Sequence, residues 1–203
     1  MILSIVILLG IMLVGGYGLK SDFQSPRLYI NETPIVKNTD FQLKSGELYE
    51  YAYTINGTRT NITYEIVDSN DCTEIRITNG MGKSSVCVDQ NGVDKKLNSN
   101  ATLSDPSFLI FKPWMLALSY NWKWNNTIYM NFNNQLSKMS TNSYHVMRTD
   151  RYRGRDVFVV RESDENQITQ YEWVDMKKRI VLKSVGPGYQ LELINGLEFV
   201  DNN

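Results

Sequence analysis

From Gly46 onward the chain alternates apolar and polar residues with a period of two, broken by short links rich in glycine and asparagine. A period of two sends successive side chains to opposite faces, which is the pattern of a half-buried strand rather than of a helix. Leu48–Ile55 puts Tyr49, Tyr51, Tyr53 and Ile55 on one face, and Asn61–Asp68 puts Ile62, Tyr64 and Ile66 on one face. Asn56-Gly57 marks the bend between them. Further strands are predicted over 122–124, 127–133, 143–149, 156–161, 168–174, 179–185 and 189–199, with a weak one near 94–97. Tight links fall at Arg153-Gly154, Asp175–Lys178 and Gly186-Pro187-Gly188.

One interval departs from this rhythm. In residues 106–119 the apolar side chains do not alternate, Ser104 and Asp105 are suited to cap a helix, and Pro106 suits its first turn. A helical insertion is expected there, divided or kinked at Pro113. With about ten strands joined mostly as hairpins, the expected fold class is mainly β. It is a single large, curved antiparallel sheet, with the helical insertion packed in its concavity.

The first eighteen residues are apolar apart from Ser4 and carry no charge. Their length is at the lower edge of the ~17–25 residues that cross a bilayer as a helix, and exceeds many signal-peptide cores. The segment is read as either a signal peptide, with Gly16 and Gly18 suited to a cut before Leu19, or an uncleaved membrane anchor. No cysteine lies nearby, which excludes a diacylglyceryl-cysteine anchor. Residues 19–45, with Pro26 and Pro34, read as an irregular lead-in or stalk, and 46–203 as one β domain. The expected location is outside the cytosol, tethered to the cell membrane through 1–18 or secreted after cleavage.

Cys72 and Cys87 are the only cysteines, and they bracket a strand–turn–strand pattern. A two-residue turn at Asn79-Gly80 would set them directly opposite each other, with Cα atoms about 5.5 Å apart, within reach of a disulfide. A four-residue loop over 79–82 would instead offset them by two positions. In the first register Ile75, Ile77 and Val86 share one face while Glu74, Arg76, Lys83 and Ser85 share the other with the disulfide. Glycosylation sequons at Asn56, Asn61, Asn100 and Asn125, and one at Asn31 weakened by Pro34, fit an exported chain.

Lysine and arginine total 21 against 22 acidic residues. A net charge of -1 gives no overall steering toward nucleic acid, and no nucleic-acid partner is expected. His145 is the sole histidine and sits in an alternating segment, as a structural residue would. No metal-ligand spacing, nucleophile elbow or phosphate loop is present, so neither enzymatic activity nor a cofactor or metal is expected.

The segments Gly46-Glu-Leu-Tyr-Glu-Tyr51, Tyr152-Arg-Gly-Arg-Asp-Val-Phe-Val-Val160, Tyr171-Glu-Trp-Val-Asp175 and Arg179-Ile-Val-Leu-Lys183 follow an export segment and flank a helical insertion. In this order they resemble the LolA/LolB/LppX group of exported lipoprotein and lipid carriers. The resemblance implies an unclosed half-barrel whose concave apolar pocket holds acyl chains under a helical lid.

Three groups of side chains are singled out. Trp114, Trp122 and Trp124 cluster around the insertion, where they form either a pocket wall or plain core. Tyr49, Tyr51 and Tyr53 form either a polar-tipped pocket wall or an outer surface. Arg148, Arg151, Arg153 and Arg155 gather at a turn, as headgroup contacts or as a solvated tip neutralised by Asp150 and Asp156. The sequence favours a non-enzymatic domain that binds a hydrophobic or amphiphilic ligand, with a structural or adhesive surface module as the rival.

Overall fold

A computed structural model describes residues 27–32, 35–93, 95, 110–132, 135–166 and 169–197. The expected membrane segment 1–18, the Asn100 sequon and most of the weak strand near 94–97 lie outside them. Among the described residues no helix is long and apolar enough to cross a membrane.

Among the described residues the fold is one antiparallel sheet of eleven strands. In chain order they are β1 (Arg27–Glu32), β2 (Leu48–Ile55), β3 (Thr58–Ser69), β4 (Cys72–Asn79), β5 (Gly82–Val88), β6 (Lys123–Phe132), β7 (Gln135–Tyr152), β8 (Arg155–Asp164), β9 (Thr169–Asp175), β10 (Val181–Gly186) and β11 (Tyr189–Asn195). Their order across the sheet is β1-β6-β7-β8-β9-β10-β11-β2-β3-β4-β5, so β1 and β5 are the edges and the sheet is not closed. Two hairpin meanders, β2–β5 and β6–β11, meet where β11 pairs with β2. Because β5 and β6 lie near opposite edges, the connection between them must travel the width of the sheet.

Local chemistry explains the hairpins. Asn56 and Gly57 both take positive φ (48° and 81°) between the paired Ile55 and Thr58, the geometry of a type I′ turn. Arg153 and Gly154 (48° and 80°) repeat it between Tyr152 and Arg155. Pro187 and Gly188 close β10 and β11, with proline supplying the fixed φ and Gly188 (78°) the left-handed one.

The inner face carries Tyr49, Tyr51, Tyr64, Ile66, Ile75, Ile77, Leu191, Leu193, Val174, Val160 and Val146, all buried. The connection lies against this face. Its described residues form a short 3-10 helix, Pro113–Ala117, with proline in the first turn, while residues 104–109 of the expected kinked helix and its cap lie outside the described residues. Ile110, Trp114, Met115, Leu116 and Leu118 are each 0% exposed. Main-chain bonds hold the segment down: Val181 donates to the Ile110 carbonyl at 2.8 Å, and Asn38 donates to Leu116 at 3.0 Å. Arg179 donates to the Leu118 carbonyl at 3.0 Å and lies over the Phe158 ring.

Other elements differ from expectation. The supposed stalk contains edge strand β1, paired with β6, and Asn38 and Leu43 beyond it belong to the body. Residues 122–124 and 127–133 fuse into β6. β7 begins at Gln135, in a polar run whose first five residues are exposed and therefore carry no burial pattern.

Cys72 and Cys87 are bridged, with Cα atoms 5.7 Å apart. The expected register is corrected, however. Asn79 pairs with Gly82 and Glu74 with Cys87, so the cysteines are offset by two positions and the link is diagonal. The turn is fixed by the Asn79 side chain, which accepts from the Met81 amide at 2.9 Å, and Asn79 does not take positive φ. A slip of two leaves every side chain on its own face, so the hydrophobic pattern is the same in both registers.

The cross-link spans a sequence separation of 15 residues. Replacing both cysteines by serine is therefore expected to lower stability by at most about 3 kcal/mol with the fold intact. Urea denaturation of the variant, with its far-UV circular dichroism unchanged, checks this.

Candidate functional site

The site is built on the inner face where β6 to β10 run side by side. Register places Trp124, Tyr144, Glu162 and Gln170 in one row across four strands, with Glu172 opposite Val160 on one side and Ser184 on the other. Asn126 lies one pleat repeat beyond Trp124, in a row with Asn142 and Asp164. Onto this surface the crossing segment brings Lys112 and Trp114.

Trp122 is stacked between two other indoles, with centroids 5.6 Å from Trp114 and 6.4 Å from Trp124. Tyr144 tilts against Trp114 at 5.2 Å and Trp124 at 5.0 Å. Beside this wall the Lys112 ammonium is shared by two carboxylates, Glu172 Oε1 at 2.9 Å and Glu162 Oε2 at 3.5 Å, and lies 5.7 Å from the Trp114 ring centre. Tyr144 donates to Glu162 Oε1 at 2.9 Å, and Gln170 donates to Glu172 Oε1 at 2.7 Å. Tyr189 and Ser184 pair at 3.2 Å next to the cluster.

The electrostatics follow from burial. Desolvation pushes the Glu172 carboxyl above its ordinary 4.5, and the like charge of Glu162 adds to this while Lys112 opposes it. Desolvation alone would lower Lys112, but Glu172 and Glu162 outweigh it and hold the ammonium above its usual value. Burial pushes the Tyr189 hydroxyl up to about 12.

Several polar atoms in this patch have no hydrogen-bond partner although they are buried: Trp114 Nε1, both amide atoms of Asn126, and Glu172 Oε2. Trp114 is 0%, Asn126 1% and Glu172 2% exposed. An unmet buried polar atom costs about 1–3 kcal/mol, and a partner that supplies the missing bond recovers it. Trp114 thus offers a donor and Glu172 an acceptor beside the aromatic wall, and Asn126 a donor and an acceptor three strands and two rows from Glu172. Lys112 and Glu162, about one-fifth exposed, form its rim.

The structure brings Trp114, Trp122 and Trp124 together as expected, with Trp114 wholly enclosed. The tyrosine row is divided. Tyr49 and Tyr51 are 0% exposed, and their hydroxyls are satisfied by Glu47 Oε2 at 2.7 Å and the Val181 carbonyl at 2.6 Å. Tyr53 is only partly buried and packs against Tyr189, toward the polar end. The arginine turn is held by its own surroundings. Arg148 meets Asp150 at 3.2 Å, Arg155 meets buried Asp175 at 2.6 Å, and Arg153 donates to the Leu193 carbonyl at 2.9 Å. Asn56, Asn61 and Asn125 are exposed. His145 is half-buried, and desolvation with nearby Lys123 and Arg161 lowers its pKa.

Sequence reasoning missed Lys112, Glu162, Glu172 and Asn126. Glu172 sits between Tyr171 and Trp173, and an aromatic–polar–aromatic triplet reads as aromatic side in. The strand is turned the other way, with Glu172 and Val174 inward and Tyr171 39% exposed.

No family model matches the chain, and no curated protein matches it. Among solved structures, a crystal structure of MucB aligns with a TM-score of 0.38 at 14% identity, over 75% of this chain and 54% of that one. The chain spans about half the length of MucB, and the likeness is a distant one of fold.

Because the folded state favours the protonated Glu172, its stabilising effect is full below pH 4.5 and is lost as pH rises through the raised pKa. Glu172→Gln keeps the shape without the charge. Its melting midpoint is expected to gain on the wild type as pH rises from 4.5 through the raised pKa. A constant gap across that range would contradict the assignment.

Proposed function

We propose that this chain is a non-enzymatic domain that binds an amphiphile on the inner face of its sheet, exported and tethered to the cell membrane through residues 1–18. The observation that carries the reading is the group of unmet buried polar atoms on Trp114, Asn126 and Glu172 beside the indole stack. A self-contained core meets nearly all of its buried polar atoms, whereas a binding site leaves some for the ligand. The apolar part of the ligand would lie along the inner face beyond the cluster, where Tyr53 and Trp122 are only partly covered. The resemblance of the sequence to exported lipid carriers points the same way.

One observation favours the rival reading of a structural or adhesive surface module. Trp114, Met115, Leu116 and Leu118 fill the middle of the concavity with the chain's own side chains. Under the binding reading, the ligand occupies the Trp122 end or lifts part of the crossing segment.

Tryptophan fluorescence separates the two. Titrating the full chain, kept in solution by an amphipathic polymer, with dodecyl maltoside is expected to shift or quench emission, and Trp122→Ala to weaken this response more than it weakens folding. Trp114→Ala is expected to cost about 3–5 kcal/mol of stability, as for any enclosed tryptophan. Emission indifferent to amphiphile would favour the surface module.

A further inference from the structure

The charges at the site do not balance. Glu162 and Glu172 face one ammonium, Lys112, and the other groups on the inner face there, Tyr144, Gln170, Ser184 and Tyr189, are neutral. Asp164, one row further on, is a further carboxylate with partners of its own, the Asn166 amide among them, and stands outside this count. The nearby cations lie on the outer face. Arg161 alternates with Glu162 along β8, and Lys183 lies over the outward rings of Trp173 and Tyr152. Arg179 is committed to the Leu118 carbonyl and the Phe158 ring. One negative charge is therefore in excess, and the oxygen that carries it, Glu172 Oε2, is the buried acceptor without a donor.

We propose that the inner-face cluster of Glu172, Glu162 and Trp114 receives the primary ammonium head of a cationic amphiphile. The proposal rests on the amphiphile-binding reading and specifies its headgroup. An ammonium donates to Glu172 Oε2 and neutralises the excess charge, a charge-assisted bond in a poorly hydrated setting. Trp114 Nε1 is a further donor and suits a head that also carries an oxygen next to the nitrogen-bearing carbon, as an amino alcohol or amino amide does. Lys112 over the Trp114 ring shows that this aromatic wall tolerates a cation. Carboxylate, sulfate and phosphate heads would place like charge against Glu172 and Glu162 and are disfavoured.

Calorimetry on the full chain at pH 7 tests this with three probes of one chain length: dodecylammonium, dodecyl maltoside and laurate. Dodecylammonium is expected to bind at least about tenfold more tightly than the other two. Glu172→Gln is expected to cut that preference to below about threefold. Should that variant fail to fold, Glu162→Gln, at the rim, is expected to reduce the preference in the same direction. Equal binding of all three probes, or a preference unmoved by either variant, would overturn the headgroup assignment and leave amphiphile binding standing. Binding of none of them would overturn both.

Discussion

The crossing of the β5–β6 connection over the inner face is the constraint on which the rest of the structure depends. The sheet is open, with β1 and β5 as its edges, so curvature alone does not close off its apolar inner face. Strand order then obliges the chain to pass from near one edge to near the other. The route over the inner side lets Phe111, Trp114, Met115, Leu116 and Leu118 cover the tyrosines, isoleucines and valines that the strands present there. Its backbone is irregular, and an irregular buried backbone must find partners outside itself. Val181, Asn38 and Arg179 supply them.

The same crossing delivers Lys112 to two inward carboxylates. Glutamates at inner-face positions would be destabilising unless paired, and a lysine carried by the covering segment is the available partner. The pairing is incomplete, with one acceptor of Glu172 and the whole Asn126 amide unmet. A core under selection for stability alone would place apolar side chains at these positions. Retaining polar atoms there has a cost that a bound ligand would offset, which is why the patch reads as a proposed site and the well-satisfied Tyr49 and Tyr51 as structure.

Sheet, hairpins and covering segment were legible where one face is buried and the other wet. β2, β3 and β8 to β11 alternate cleanly, and their turns carry Asn-Gly, Arg-Gly and Pro-Gly pairs whose backbone needs are visible from residue type. The first half of β7 was not legible, since Gln135–Met139 is exposed on both faces and alternation has nothing to record. The register of the cysteine hairpin was illegible for a different reason: two positions of slip preserve both faces, and the Asx bond of Asn79 to Met81 decides between them. The indole cluster could be foreseen from its density around the insertion. Its charged neighbours could not, because Glu172 lies inward between two aromatic residues and Lys112 meets it only through a contact across sixty residues of chain.

Photolabelling tests the central claim, that an amphiphile occupies the inner face, most directly. The full chain would be irradiated with a dodecyl amphiphile bearing a diazirine in its alkyl chain, and the modified peptides mapped by mass spectrometry. Label on Tyr53, Trp122 or Ile128, competed by unlabelled amphiphile, is the predicted result. Label confined to residues 1–18, or spread over outer-face side chains such as Tyr171 without competition, would contradict it.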